Sequence, residues 1–104
     1  MPRRAARTDR NHGEIREAFR KLGCSWLDLS AVGRGCPDAL VGFAGLVRLV
    51  EIKDGSKPPS RRALRPLQRV FMDDWTGGVS LVESIEDAAC VASLLRYWHA
   101  RLTA

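Results

Sequence analysis

Apolar positions fall into runs whose period changes along the chain, and the changes mark the elements. From Asn11 onward Ile15, Ala18, Phe19 and Leu22 recur at the spacing of one helical face, and Gly23 follows where the stripe stops. Residues 25 to 30, Ser-Trp-Leu-Asp-Leu-Ser, predict a strand before the turn Val32-Gly33-Arg34-Gly35. Residues 38 to 43 and 46 to 53 predict two more, joined by Ala44-Gly45 alone, as in a tight hairpin. Ala39, Val41, Phe43, Val50 and Ile52 share one side of that hairpin. Leu40, Val47 and Leu49 share the other, so helices are expected over both faces of the sheet.

Residues 54 to 65 carry Gly55, Pro58, Pro59 and a run of cations, and predict an exposed basic loop. Pro66 suits the first turn of a helix with Leu67, Val70, Phe71 and Trp75 as its stripe, ended by Gly77-Gly78. A last strand over 79 to 83 precedes Ser84, whose spacing to Asp87 resembles a capping box. Ile85, Ala88, Ala92, Leu95, Trp98 and Leu102 then continue a helical face. The expected order is αβββαβα, an α/β chain with a mixed four-stranded sheet. No internal repeat or second domain breaks it, and residues 11 to 104 are read as one domain behind a basic segment, 1 to 10.

Composition changes the picture in one respect. The net charge of +5 favours a polyanionic partner such as nucleic acid. Much of the excess lies in Arg3, Arg4, Arg7 and Arg10, equally readable as a solvated tail, and in Lys57, Arg61, Arg62 and Arg65. The 104 residues suffice for one modest core, to which a second copy of the chain would add stability. Cys24, Cys36 and Cys90 form no C-x-x-C pair and are expected to be reduced, and with His12 and His99 they make no zinc signature. Nothing has the length of a membrane span or the apolar run of a signal sequence, so an intracellular, soluble protein is expected. Trp26, Trp75 and Trp98 read as core or interface residues rather than base-stacking platforms.

Glu51 and Lys53, two apart on a strand, leave the same face. A two-residue turn at Ala44-Gly45 pairs 43 with 46, 42 with 47, and so on to 38 with 51, so Asp38 faces Glu51. Opposed carboxylates repel by on the order of 0.2 to 1 kcal/mol even when exposed, and a divalent cation with oxygen ligands, Mg²⁺ or Mn²⁺, would offset that. The same residues also admit a plain salt bridge at a sheet edge, with Lys53 neutralising Glu51 and Asp38 solvated.

Pro37-Asp38 followed by Glu51-Ile52-Lys53 resembles the PD-(D/E)xK nuclease motif. Gly35-Cys36-Pro37-Asp38-Ala39-Leu40-Val41-Gly42, Val50-Glu51-Ile52-Lys53-Asp54-Gly55 and Leu64-Arg65-Pro66-Leu67-Gln68 are together similar to the small virus-type VRR-NUC branch of that superfamily, over roughly residues 11 to 90. The resemblance implies a restriction-endonuclease-like fold and a Mg²⁺- or Mn²⁺-dependent endonuclease acting on DNA. It further implies a homodimer selective for branched substrates such as Holliday junctions or flaps, in replication, repair or recombination. A cytoplasmic location follows, that of the host for a phage-encoded chain. Asp38 and Glu51 match the metal-binding acids, the Ile52 carbonyl a backbone ligand, Lys53 the catalytic lysine, Glu14 an additional acid near the metal, and Gln68 a glutamine that orients the site.

Glu14 also stands three residues after Asn11, the spacing of a capping box. Gln68 also suits a helix surface, and the family often has a capping Thr where this chain has Arg65. The loop cations Lys57, Arg61, Arg62 and Arg65 are expected to grip phosphates beside the cut, or only to solubilise the loop. A module of the same fold that binds DNA without cutting it is the alternative function.

Overall fold

The computed structural model describes residues 11–104, and the basic segment 1–10 lies outside them. Helix α1 spans His12–Lys21, strands β1, β2 and β3 span Ser25–Asp28, Ala39–Phe43 and Leu46–Ile52, a single turn α2 spans Pro59–Arg62, and α3 spans Pro66–Asp74. Strand β4, Val79–Val82, and helix α4, Ile85–Thr103, complete the chain. The sheet runs β1-β2-β3-β4, antiparallel except for the β3–β4 pair, which is parallel, so the α/β class and the mixed four-stranded sheet are as expected.

Local chemistry sets the boundaries. Gly23 sits at φ +86 after α1, and the Cys24 N–H reaches back to the Phe19 carbonyl at 3.0 Å, the six-to-one bond that closes a helix on a left-handed residue. Ala44 and Gly45 have φ of 51 and 85, the mirror-image turn whose twist suits a two-residue hairpin, and Phe43 pairs with Leu46 through to Ala39 with Val50. The Ser84 hydroxyl accepts the Asp87 N–H at the start of α4.

Ile15 and Phe19 of α1, Ala39, Val41, Val50, Ile52 and Val82 of the sheet, and Ala88, Val91, Ala92 and Leu95 of α4 form one buried cluster. Helices α1 and α4 pack on each other and over one sheet face. Coverage of the second face corrects the expectation. Leu27, Val47 and Leu81 there remain 56%, 63% and 47% exposed. Helix α3, with 9 residues, is only about 14 Å long at 1.5 Å per residue, and reaches that face at the end where Glu51 lies. Within the basic loop residues 59–62 close one helical turn. Of the tryptophans, Trp26 packs against the core, whereas Trp75 stacks on Phe71 and is nearly half exposed. Among the described residues no helix is long and apolar enough to cross a membrane.

Candidate active site

The hairpin register carries two carboxylates and a lysine to one end of the sheet. Ala39 opposite Val50 is the last strand pair, so Asp38, one residue earlier, stands opposite Glu51. Asp38 Oδ2 accepts the Ile52 N–H at 2.8 Å, standing in for the backbone carbonyl that a longer β2 would offer, while the Asp38 carbonyl accepts the Leu29 N–H at 2.8 Å. Asp38 is thereby held from both neighbouring strands.

Glu51 and Lys53 lie on the second sheet face under the start of α3, and their exposures of 3% and 7% exclude a solvated edge salt bridge. Gln68 joins them. Its Nε2 donates to Glu51 Oε2 at 2.8 Å, and its Oε1 accepts Lys53 Nζ at 2.9 Å and the Arg65 N–H at 2.9 Å. Both groups facing Oε1 are donors, so the amide can be oriented only this way. Lys53 Nζ also lies 3.6 Å from Glu51 Oε2. The Gln68–Arg65 bond is one half of a capping box; an arginine at the N-cap has no acceptor to complete the other half.

Burial and then the charge of Asp38 push the Glu51 carboxyl up from its usual 4.5 to about 7, against the pull of Lys53 in the other direction. The side-chain contact with Asp38 adds to this upward push. The Cys36 thiol is also held up, by burial and then by Glu51 and Asp38, which keeps it protonated and unsuited to act as a nucleophile.

The expected ligands are not all gathered. Glu14 is exposed and lines a separate hollow with Asp54, Glu83 and Glu86, because Ile15 and Phe19 turn inward and carry Glu14 away from the Asp38–Glu51 pair. Among the described residues no three His, Cys, Asp or Glu side chains gather as a metal-holding group. Nor does Glu14 cap α1 with Asn11, whose side chain makes no cap bond. Asn11 Nδ2 instead donates to the Lys53 and Glu83 carbonyls, both at 3.1 Å, and ties the ends of β3 and β4 together. Sequence reasoning assigned Asn11 no such role, and no pattern signals a bond to residues 42 and 72 positions away.

The loop cations divide as well. Arg61 and Arg65 are exposed and Lys57 is half-buried. Arg62 donates to both Glu83 carboxylate oxygens at 3.2 Å and braces the loop against the end of β4, rather than pointing outward for a phosphate.

Two carboxylates and a backbone carbonyl form a donor set that suits Mg²⁺ or Mn²⁺, which keep several waters and take one or two protein carboxylates. The Lys53 N–H bonds to Val82 and its carbonyl accepts from Asn11, both away from β2. Strand alternation therefore turns the Ile52 N–H and carbonyl toward Asp38. Two carboxylates crowded together also mark a place where a cation would relieve repulsion. Comparison with protein-family models, with curated proteins and with solved structures finds no match to this chain.

Proposed function

We propose that this chain is a metal-dependent endonuclease of the restriction-endonuclease-like, VRR-NUC type that hydrolyses DNA phosphodiester bonds. The observation that carries the reading is the opposition of Asp38 and Glu51 at a hairpin end with Lys53 on the same face, where Gln68 bonds both Glu51 and Lys53. A structural ion pair has no use for the second carboxylate, which raises the cost of burying the first.

Asp38, Glu51 and the Ile52 carbonyl would hold the cation. When bound, Mg²⁺ or Mn²⁺ supplies positive charge that stabilises the phosphoryl oxygens and makes a nearby water more acidic. Lys53 adds a fixed cation beside the phosphate, and its Nζ, steered by the Gln68 oxygen, can orient the attacking water. Gln68 holds Glu51 and Lys53 at a set spacing and has no proton to give, so its part is positional. Burial under α3 limits solvent screening, so each charge acts more strongly on the transition state than it would at the surface.

Selectivity for four-way junctions or flaps, pairing of two copies and a cytoplasmic place of action belong to the same reading. The exposed Leu27, Val47 and Leu81 supply an apolar surface that pairing could use. The test is incubation of purified protein with labelled junction, flap, single-stranded and duplex DNA in Mg²⁺, Mn²⁺ or EDTA, beside Lys53→Ala. Metal-dependent cutting that the variant loses supports the nuclease. Binding without cutting in either metal replaces it with a non-catalytic DNA-binding module, and a monomer by sizing removes the paired, junction-resolving form.

A further inference from the structure

Beside the carboxylate pair lies a cleft of about 460 Å³ whose floor includes Asp38 and Gln68. One wall is the turn Gly33–Cys36 and the other is the first turn of α3, from Arg65. Its volume falls within the ~300–1,000 Å³ of sites that enclose a small molecule, which is room for a nucleotide. Arg34 and Arg65, both exposed, line it from the turn and from α3, and among the described residues Asp38 is the one acid there. The hollow beside Asn11 has the opposite character, lined by Glu14, Asp54, Glu83 and Glu86, and would repel a phosphate chain.

The backbone of the first wall is built at a cost. The Cys36 N–H closes a turn on the Gly33 carbonyl at 3.1 Å, with φ of 58 at Arg34 and 80 at Gly35. Glycine occupies that left-handed region without penalty and arginine does not. Gly33 itself lies at φ 78, so an arginine stands between two glycines in a conformation that favours a third. Gly35 seats the turn on α3 so closely that a methyl group there would run into the Leu67 carbonyl. The backbones that carry the two arginines are therefore seated on each other, and position 34 holds a cation at the cost of a left-handed conformation.

We propose that this cleft is the subsite for the nucleotide adjoining the scissile phosphate, with Arg34 and Arg65 gripping its flanking phosphates, an inference that rests on the nuclease reading for the scissile phosphate alone. The strand then leaves the carboxylate pair over the cleft that the Gly33–Cys36 turn and the start of α3 line together, not past Glu14 and Glu83.

The experiment reads binding and cutting separately. Equilibrium binding of a labelled four-way junction is measured in EDTA across a KCl series, and steady-state cleavage of the same DNA in Mn²⁺, for wild type, Arg34→Gly, Arg34→Lys and Arg65→Ala, with thermal melts of each. Arg34→Gly is expected to melt at the same temperature or higher, because glycine takes φ 58 freely. It should bind on the order of tenfold more weakly and lower the log–log salt slope by about 0.9, with a raised KM and a smaller change in kcat. Arg34→Lys should recover most of the binding, and Arg65→Ala should weaken it as Arg34→Gly does. Wild-type affinity and salt slope in both Arg34→Gly and Arg65→Ala, with the wild type cutting, would overturn the subsite and leave the nuclease standing. Arginine-dependent binding by a wild type that never cuts keeps the cleft and removes the nuclease; a wild type that neither binds nor cuts removes both.

Discussion

Burying Glu51 beside Asp38 should make the stability of the cation-free protein fall with rising pH. The folded state holds the Glu51 proton up to about 7, whereas the unfolded chain releases it near 4.5. Between those values the folded state binds more protons than the unfolded one, so unfolding free energy declines as pH rises. The contribution is fully present below the unfolded value, is lost through the window, and stays lost above 7. At about 1.4 kcal/mol per pH unit the window is worth on the order of 3 kcal/mol, a large share of the ~5–15 kcal/mol by which a domain is stable.

Urea titrations in EDTA at pH 5 and pH 8, read by tryptophan fluorescence, measure it. Glu51→Gln is the control, because a glutamine oxygen can still accept from Gln68 Nε2 while the titrating charge is gone. Wild type should lose most of that free energy across the interval and the variant little. Saturating Mn²⁺ at pH 8 should then restore wild type, by about 2.7 kcal/mol at a hundred times Kd, and leave the variant less affected. Equal pH slopes in the two proteins would refute the account of Glu51.

Three further outcomes follow from the same contacts. Lys53→Ala should keep Mn²⁺ binding, measured by calorimetric titration, and lose turnover, whereas Asp38→Ala should lose the cation and also leave the Ile52 N–H without its acceptor. Gln68→Ala removes the partner of two buried charged groups, and should cost about 1–3 kcal/mol in urea unfolding and about 10- to 100-fold in cleavage rate, since Glu51 and Lys53 would no longer be held apart. Ala44→Gly relieves a left-handed alanine at φ 51 and should raise stability by about 1 kcal/mol, read as a higher melting temperature with unchanged cleavage.

The hairpin was the most legible part of the chain, for a physical reason. Two alternating runs separated by two residues leave one turn geometry that matches strand twist, and the turn sets every cross-strand pair down to Asp38 and Glu51. Coverage of the second face was not legible in the same way. Apolar residues at Leu27, Val47 and Leu81 read identically whether a helix or another surface covers them, and only the placement of the short α3 shows that it reaches one end. Helical periodicity showed that Ile15 and Phe19 turn inward but not where the neighbouring Glu14 would point, because that depends on how α1 docks on the sheet. Asn11 was hidden for a related reason, its partners being backbone carbonyls brought near by β3 and β4 together.

The four residues that meet at the sheet end show why local rules break down at such a place. Leu49, just before Glu51 on the same face, is buried and apolar, so continued alternation would favour another aliphatic side chain at 51. Glu51 and Lys53 stand there instead, and a buried ion pair is often no more stable than the apolar pair that could replace it. Asp38 then adds repulsion that Lys53 does not cancel, since the Glu51 carboxyl remains well above its usual range. Arg34 departs from local preference in the same direction, holding a cation where glycine would be more comfortable. Arg34 lines the cleft together with Asp38 and Gln68, and Gln68 carries the contact on to Glu51 and Lys53. Stability considered alone explains neither the buried acid pair nor the left-handed Arg34, whereas the proposed site for a cation and a phosphate chain would account for both.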